Sequence, residues 1–178
     1  MASEIKPGGG VRGSPTKFVR AQEEDICRRT SLYPTLVQHR YPLELDEVIY
    51  TPNVKIVKTA NYERLSKCPN IAGVVTSAAI RRPVLSSTGQ YSFEDRILLR
   101  NKIRMLLETF EYHGITHLVL GAWGCGVFRN PPRQVALEFW SLLSDRFKKS
   151  FARVTFAVAV MKDADRKNYD EFCAVFQK

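Results

Sequence analysis

ITHLVLGAWGCGVFRNPPRQVALEFW, Ile115–Trp140, changes character twice. Ile115 to Leu120 is a short apolar run of the kind that forms a buried strand. GAWGCGVFRNPP, Gly121–Pro132, then places glycine at 121, 124 and 126. Beyond it, Val135, Phe139, Leu142, Leu143 and Phe147 recur at helical spacing and predict an inward face on a helix over 131–149. Asn130 suits the N-cap of that helix and Pro131 its first position. A strand, a glycine loop and a helix N-terminus in that order can hold an anion, because free N–H groups and the helix dipole both favour negative charge. The spacing GxxGxG matches neither the dinucleotide fingerprint nor the P-loop. The same glycines also suit a plain tight turn, and Trp123 and Phe128 suit either a core or the wall of a sugar or base pocket.

Outward from this segment the pattern repeats. Residues 71–77 (IAGVVTS) and 154–160 read as two more buried strands. Residues 93–113 form a helix with Leu99, Ile103, Leu106, Leu107 and Phe110 on one face and Gly114 at its end. Residues 168–176 read as a last short helix. The alternation predicts an α/β fold with a largely parallel sheet, helices on its faces, and 71–77, 115–120 and 154–160 as neighbouring strands. Such sheets bind ligands beyond the carboxyl ends of their strands, which points to the residues after Leu120. Upstream, 48–50 and 54–57 are short strand candidates. A helix starting between Pro15 and Ala21 runs to about Leu32 and ends near Tyr33-Pro34.

Residues 1–20 form a glycine-rich N-terminal loop segment. Gly8, Gly9, Gly10 and Gly13 join Gly121, Gly124 and Gly126, so two loops hold most of the 10 glycines. Glycine clusters of this kind let backbone reach a ligand. Gln22-Glu23-Glu24 follows the first cluster. Acids in a first helical turn complement the helix dipole, and paired carboxylates can also carry general acid–base work.

The chain has 178 residues, 44% hydrophobic and 25% charged, as expected of a single globular domain over 1–178. A net charge of +9 favours polyanionic partners, although the basic residues are scattered and equally suit a generally basic surface. Nucleic acid is a possible partner by charge alone, and no motif supports it. Cys27, Cys68, Cys125 and Cys173 form no CxxC pair, and the histidines show no ligand spacing, so neither a metal nor a cofactor is expected. No run is apolar enough for a membrane span or a secretory signal, which predicts a reducing compartment, cytoplasmic or nuclear.

PGGG, AQEEDICRRTSLYPTL, IYTPNV, VVTSAA and LVLGAWGCGVFRNPPRQVALEF together resemble the microbial-type poly(ADP-ribose) glycohydrolases. The resemblance runs from about Pro7 to Val160. It implies a three-layer α/β/α macrodomain-like fold with a mixed, mostly parallel sheet. It also implies hydrolysis of O-glycosidic ribose bonds in poly(ADP-ribose) or protein-linked ADP-ribose, or, alternatively, an ADP-ribose reader without turnover. Gly8, Gly9 and Gly10 then line the diphosphate and distal ribose. Glu24 is the catalytic carboxylate, and Glu23 and Gln22 belong to the same motif, with Glu23 on the ribose hydroxyls. Gly124, Cys125, Gly126 and Val127 close over the phosphates and Phe128 packs on the distal ribose. Only seven residues precede the triplet, making this an N-terminally short member, and the spacer from Val11 to Ala21 is longer than the family usually shows.

Overall fold

A computed structural model describes residues 3–11, 21–161 and 163–177. The expected helix start between Pro15 and Ala21 and the position of Gly13 lie largely outside those residues. The fold is mixed α/β, as the sequence pattern predicts, and it contains both antiparallel and parallel strand pairs. By its internal contacts the chain falls into two compact units, Met1–Ala78 and Ala79–Lys178.

In the first unit, helix α1 spans Gln22–Arg29. Glu23, Glu24 and Asp25 occupy its first turn and Arg28 and Arg29 its last, so both ends oppose the helix dipole correctly. The chain breaks at Thr30 and resumes as α2, Leu32–Leu36. Pro34 was expected to end a helix. It lies instead in the first turn of α2, where its missing N–H has no intrahelical acceptor to lose. Strand β1 (Ile49–Lys55) pairs antiparallel with β2 (Asn70–Thr76), Ile49 opposite Thr76 and Lys55 opposite Asn70. Cys27, Leu32, Leu36, Leu43, Ile49 and Val54 form the core of this unit, with Val11, Tyr33 and Tyr41 packed against it.

In the second unit, α3 (Phe93–Tyr112) starts at Ser92, whose hydroxyl accepts from the Asp95 N–H. It ends at Gly114, where φ is +66° and the amides of Gly114 and Ile115 bond back to Glu111 and Phe110. Leu99, Ile103, Leu106 and Leu107 are buried as the helical spacing predicts. Strand β3 (His117–Leu120) pairs parallel with β4 (Arg153–Phe156). Helices α4 (Pro132–Ser144) and α5 (Asp163–Phe176) complete the unit. Phe156 touches Phe139 of α4 at 5.4 Å and Phe172 of α5 at 5.3 Å between ring centroids. Phe139 and Phe172 are buried, and each such fully buried apolar side chain is worth roughly 2 kcal/mol.

The buried carboxylate Glu138 of α4 accepts from Arg96 and Arg100 of α3 at 3.2 and 3.0 Å, a tie that apolar spacing could not foresee. All four cysteines are free, with Cys27 and Cys125 buried and Cys68 exposed. Among the described residues no helix is long and apolar enough to cross a membrane. Nor does any group of three or more metal-ligating side chains occur among them.

Candidate active site

The glycine triplet folds as a tight turn. The Gly9 N–H donates to Lys6 O and the Val11 N–H to Gly8 O, with φ at +67° for Gly8 and +51° for Gly9. Both angles favour glycine, and so does the space around them. A Cβ on Gly8 would stand 2.7 Å from the Tyr33 ring. One on Gly9 would stand 2.7 Å from Glu24 Oε1 and 3.2 Å from Glu23 Oε2. The backbone therefore passes directly against the two acids. The structure brings Gly9, Gly10, Glu23 and Glu24 together, whereas Gln22 is exposed.

The Gly10 N–H donates to Glu24 Oε1 at 2.9 Å, and the Arg28 guanidinium donates to Gly10 O at 3.3 Å. Glu23 Oε2 accepts from the Ser3 N–H at 2.6 Å. Glu23 and Glu24 are both buried. Glu23 Oε1 and Glu24 Oε2 find no hydrogen-bond partner among the described residues. Burial pushes the Glu23 carboxyl up to about 7; the Ser3 amide opposes this and the neighbouring Glu24 charge adds to it. A carboxyl in that range exchanges its proton near neutral pH, which acid–base work requires.

Two neighbours carried no motif. Asp25, the third acid of α1, is tied to Arg29 at 2.8 Å and to the Tyr62 hydroxyl at 2.6 Å. Its carboxylate is thereby engaged away from the pair. Tyr41 buries a hydroxyl without a partner among the described residues. Burial, and after it the charge of Glu23, raise that phenol and keep it neutral.

In the second unit the loop after β3 is a compact turn. The amides of Trp123, Cys125, Arg129 and Asn130 bond to the carbonyls of Gly121, Ala122, Gly126 and Gly124. Those of Gly124, Gly126, Val127 and Phe128 have no acceptor among the described residues. Gly124 is buried at φ +75°, with the position of a Cβ 2.5 Å from Asn130 Nδ2 and 2.7 Å from Ala79. Gly126 faces open space and Val127 is exposed. Cys125 is buried, and burial holds its thiol up at about 12, far from a reactive thiolate.

Asn130 was expected to cap α4. Pro131 takes that position instead, and the Asn130 side chain pins the loop. Its Nδ2 donates to Ile80 O at 2.7 Å and to Gly124 O at 3.0 Å, while Oδ1 accepts from the Tyr91 hydroxyl at 2.8 Å. A residue ideal for one helical position was better used in a buried network.

Buried paired acids against a glycine turn, and a strand–glycine turn–helix whose amides are in part without acceptors among the described residues, define the class: a mixed α/β protein with a buried acid pair and a glycine turn of the kind that can receive an anion. Comparison with known proteins narrows that class. The family model described as "Microbial-type PARG, catalytic domain" matches residues 1–59. No curated protein sequence matches the chain. Among solved structures, poly(ADP-ribose) glycohydrolase (PARG) from Deinococcus radiodurans in complex with ADP-ribose is 32% identical with a TM-score of 0.80. The match covers 99% of this chain and 73% of that one. PARG from Thermomonospora curvata is 34% identical with a TM-score of 0.82, over 98% of this chain and 66% of that one. The same enzyme bound to the inhibitor ADP-HPD matches at 34% identity and a TM-score of 0.80, over 98% and 68% of the two chains. This chain belongs to the microbial-type poly(ADP-ribose) glycohydrolases.

Proposed function

We propose that the protein is an ADP-ribose glycohydrolase that hydrolyses O-glycosidic ribose bonds of poly(ADP-ribose) or protein-linked ADP-ribose in an intracellular compartment. Residues 1–178 constitute one macrodomain-like domain in this reading. The observation that carries it is the pair of buried carboxyls, Glu23 and Glu24, set against the Gly8–Gly10 turn.

Ribose–ribose cleavage passes through an oxocarbenium-like state, with a departing oxygen that needs a proton. Glu24 is the proposed donor. Its Oε1 is held by the Gly10 N–H, which leaves Oε2 for the substrate. The bond from the anomeric carbon to the leaving oxygen breaks as that oxygen takes the proton. Glu24, now a carboxylate, removes a proton from the water that attacks the same carbon. Glu23 holds the ribose hydroxyls, with its proton available near neutral pH. Gly8, Gly9, Gly10 and Gln22 bind the ligand on the acid side. Gly124, Cys125, Gly126 and Val127 bind its diphosphate and Phe128 its distal ribose.

The test is Glu24→Gln, which keeps size and removes proton cycling. ADP-ribose affinity by calorimetry should stay near wild type, while product release followed by chromatography falls by about 10² or more. Binding without turnover in the wild type would leave an ADP-ribose reader. Unchanged turnover in Glu24→Gln would move the donor role to another group.

A further inference from the structure

Tyr62 reaches the acid helix from a hairpin that carries no motif. Residues 57–65 fold back on themselves, with Lys58 opposite Arg64 in an antiparallel bridge. The Thr59 N–H donates to Glu63 O at 2.9 Å and the Leu65 N–H to Val57 O at 3.1 Å. The amides of Val57 and Lys58 both donate to Arg29 O, which fastens the hairpin to the last turn of α1. Near its tip Tyr62 holds left-handed backbone, φ +65°, where a ring-bearing side chain is strained. The Tyr62 N–H bonds to Thr59 O, so the turn is satisfied by backbone and would suit glycine or asparagine better. Tyrosine adds a phenol directed at the first turn of α1. Its hydroxyl donates to Asp25 Oδ1 at 2.6 Å, while Arg29 holds the other oxygen of Asp25 at 2.8 Å. The Arg28 guanidinium approaches the same phenol oxygen.

Those two partners lead to both sides of the acid site. Asp25 directly follows Glu24 on α1. Arg28 also donates to Gly10 O, and the N–H of Gly10 holds Glu24 Oε1. Helix α1 is only 8 residues long, and Ala21 gives its first turn no side-chain cap. A helix that short does not fix its own first turn, so contacts from outside must set where its acids point. Strained backbone is kept where the side chain it displays has a task. We infer that Tyr62 is a positioning residue for the Glu24 proton donor, bracing the first turn of α1 chiefly through Asp25. The inference rests on the glycohydrolase reading and gives Tyr62 no contact with substrate.

The experiment measures kcat, KM, ADP-ribose affinity and melting temperature for the wild type, Tyr62→Phe, Asp25→Ala, Asp25→Asn and the double variant Tyr62→Phe/Asp25→Ala. Tyr62→Phe should lower kcat by roughly tenfold, because a proton donor displaced by a fraction of an ångström is already costly. KM and affinity should stay close to wild type, since the loss falls on the chemical step. Asp25→Ala should reproduce most of that loss. The double variant should lose no more than Tyr62→Phe alone, because both changes break one brace. Asp25→Asn still accepts from the phenol and should recover most of the kcat that Asp25→Ala loses. A lower melting temperature with kcat unchanged would make the bond structural only and overturn the assignment. So would a raised KM with kcat intact, which would put the phenol on the substrate, or losses that multiply in the double variant. Each of these leaves the glycohydrolase reading standing. A folded wild type that binds ADP-ribose without turnover would overturn both.

Discussion

The Glu23 carboxyl, lifted from an ordinary 4.5 to about 7, binds more protons in the folded chain than in the unfolded one. Stability from this group is fully present below about pH 4.5 and is lost as pH rises through about 7. The full swing is up to about 3 kcal/mol. Glu23→Gln should therefore be more stable than wild type at pH 8, with the difference closing toward pH 4.5. Urea midpoints across that range measure it, and parallel curves for the two proteins would contradict the lifted carboxyl. Gly9→Ala tests a different property. The left-handed backbone costs alanine about 1 kcal/mol, a shift of a few degrees in melting temperature. Its methyl would enter the space of Glu24 Oε1, which the Gly10 amide holds in place. A carboxylate moved by about 1 Å can lose roughly 10² in rate, so turnover should collapse in a protein that still folds. Near-normal turnover would mean that Glu24 tolerates displacement and is not the proton donor.

The turn between β3 and α4 depends on Asn130, whose polar atoms are all engaged in a buried network. Asn130→Ala strands the carbonyl of Ile80 and the Tyr91 hydroxyl and removes one of the two donors to Gly124 O, and should cost about 3 kcal/mol. Tyr91→Phe removes a single donor and should cost about 1 kcal/mol. Calorimetric melting of both variants checks the ranking, and equal costs would show that the network does not centre on Asn130. Asn130 also marks where the sequence was legible and where it was not. The strand, glycine turn and helix around it follow from local spacing, and β3 and β4 pair in parallel as the alternation predicts. What one amide side chain does with fifty residues of separation to Ile80 is not a local property. The antiparallel pairing of β2 with β1 was missed for the same reason: the apolar run 71–77 announces a strand but not its partner. In α1 the paired acids were legible as candidates. Their burial, and the Ser3 and Gly10 amides that hold them, depend on a chain path that composition does not encode.

At the scale of the whole chain, a charge of +9 sits on a protein whose family acts on polyanions, and the charge is spread rather than striped. The whole chain covers 73% of the Deinococcus radiodurans enzyme and aligns over nearly all of its own length. Each compact unit also carries one buried thiol, Cys27 in the first and Cys125 in the second, while Cys68 is exposed. These two sulfurs act as clocks. A maleimide should modify Cys68 within minutes and reach Cys27 or Cys125 only when the surrounding unit opens, so each labelling rate times that unit's own opening. Peptide mass spectrometry over a labelling course would read both clocks in one tube. Added ADP-ribose should slow the Cys27 clock if it binds at the acid turn, because a ligand held by the folded unit makes that unit's opening rarer. Labelling of Cys27 as fast as Cys68 would show that the first unit opens freely.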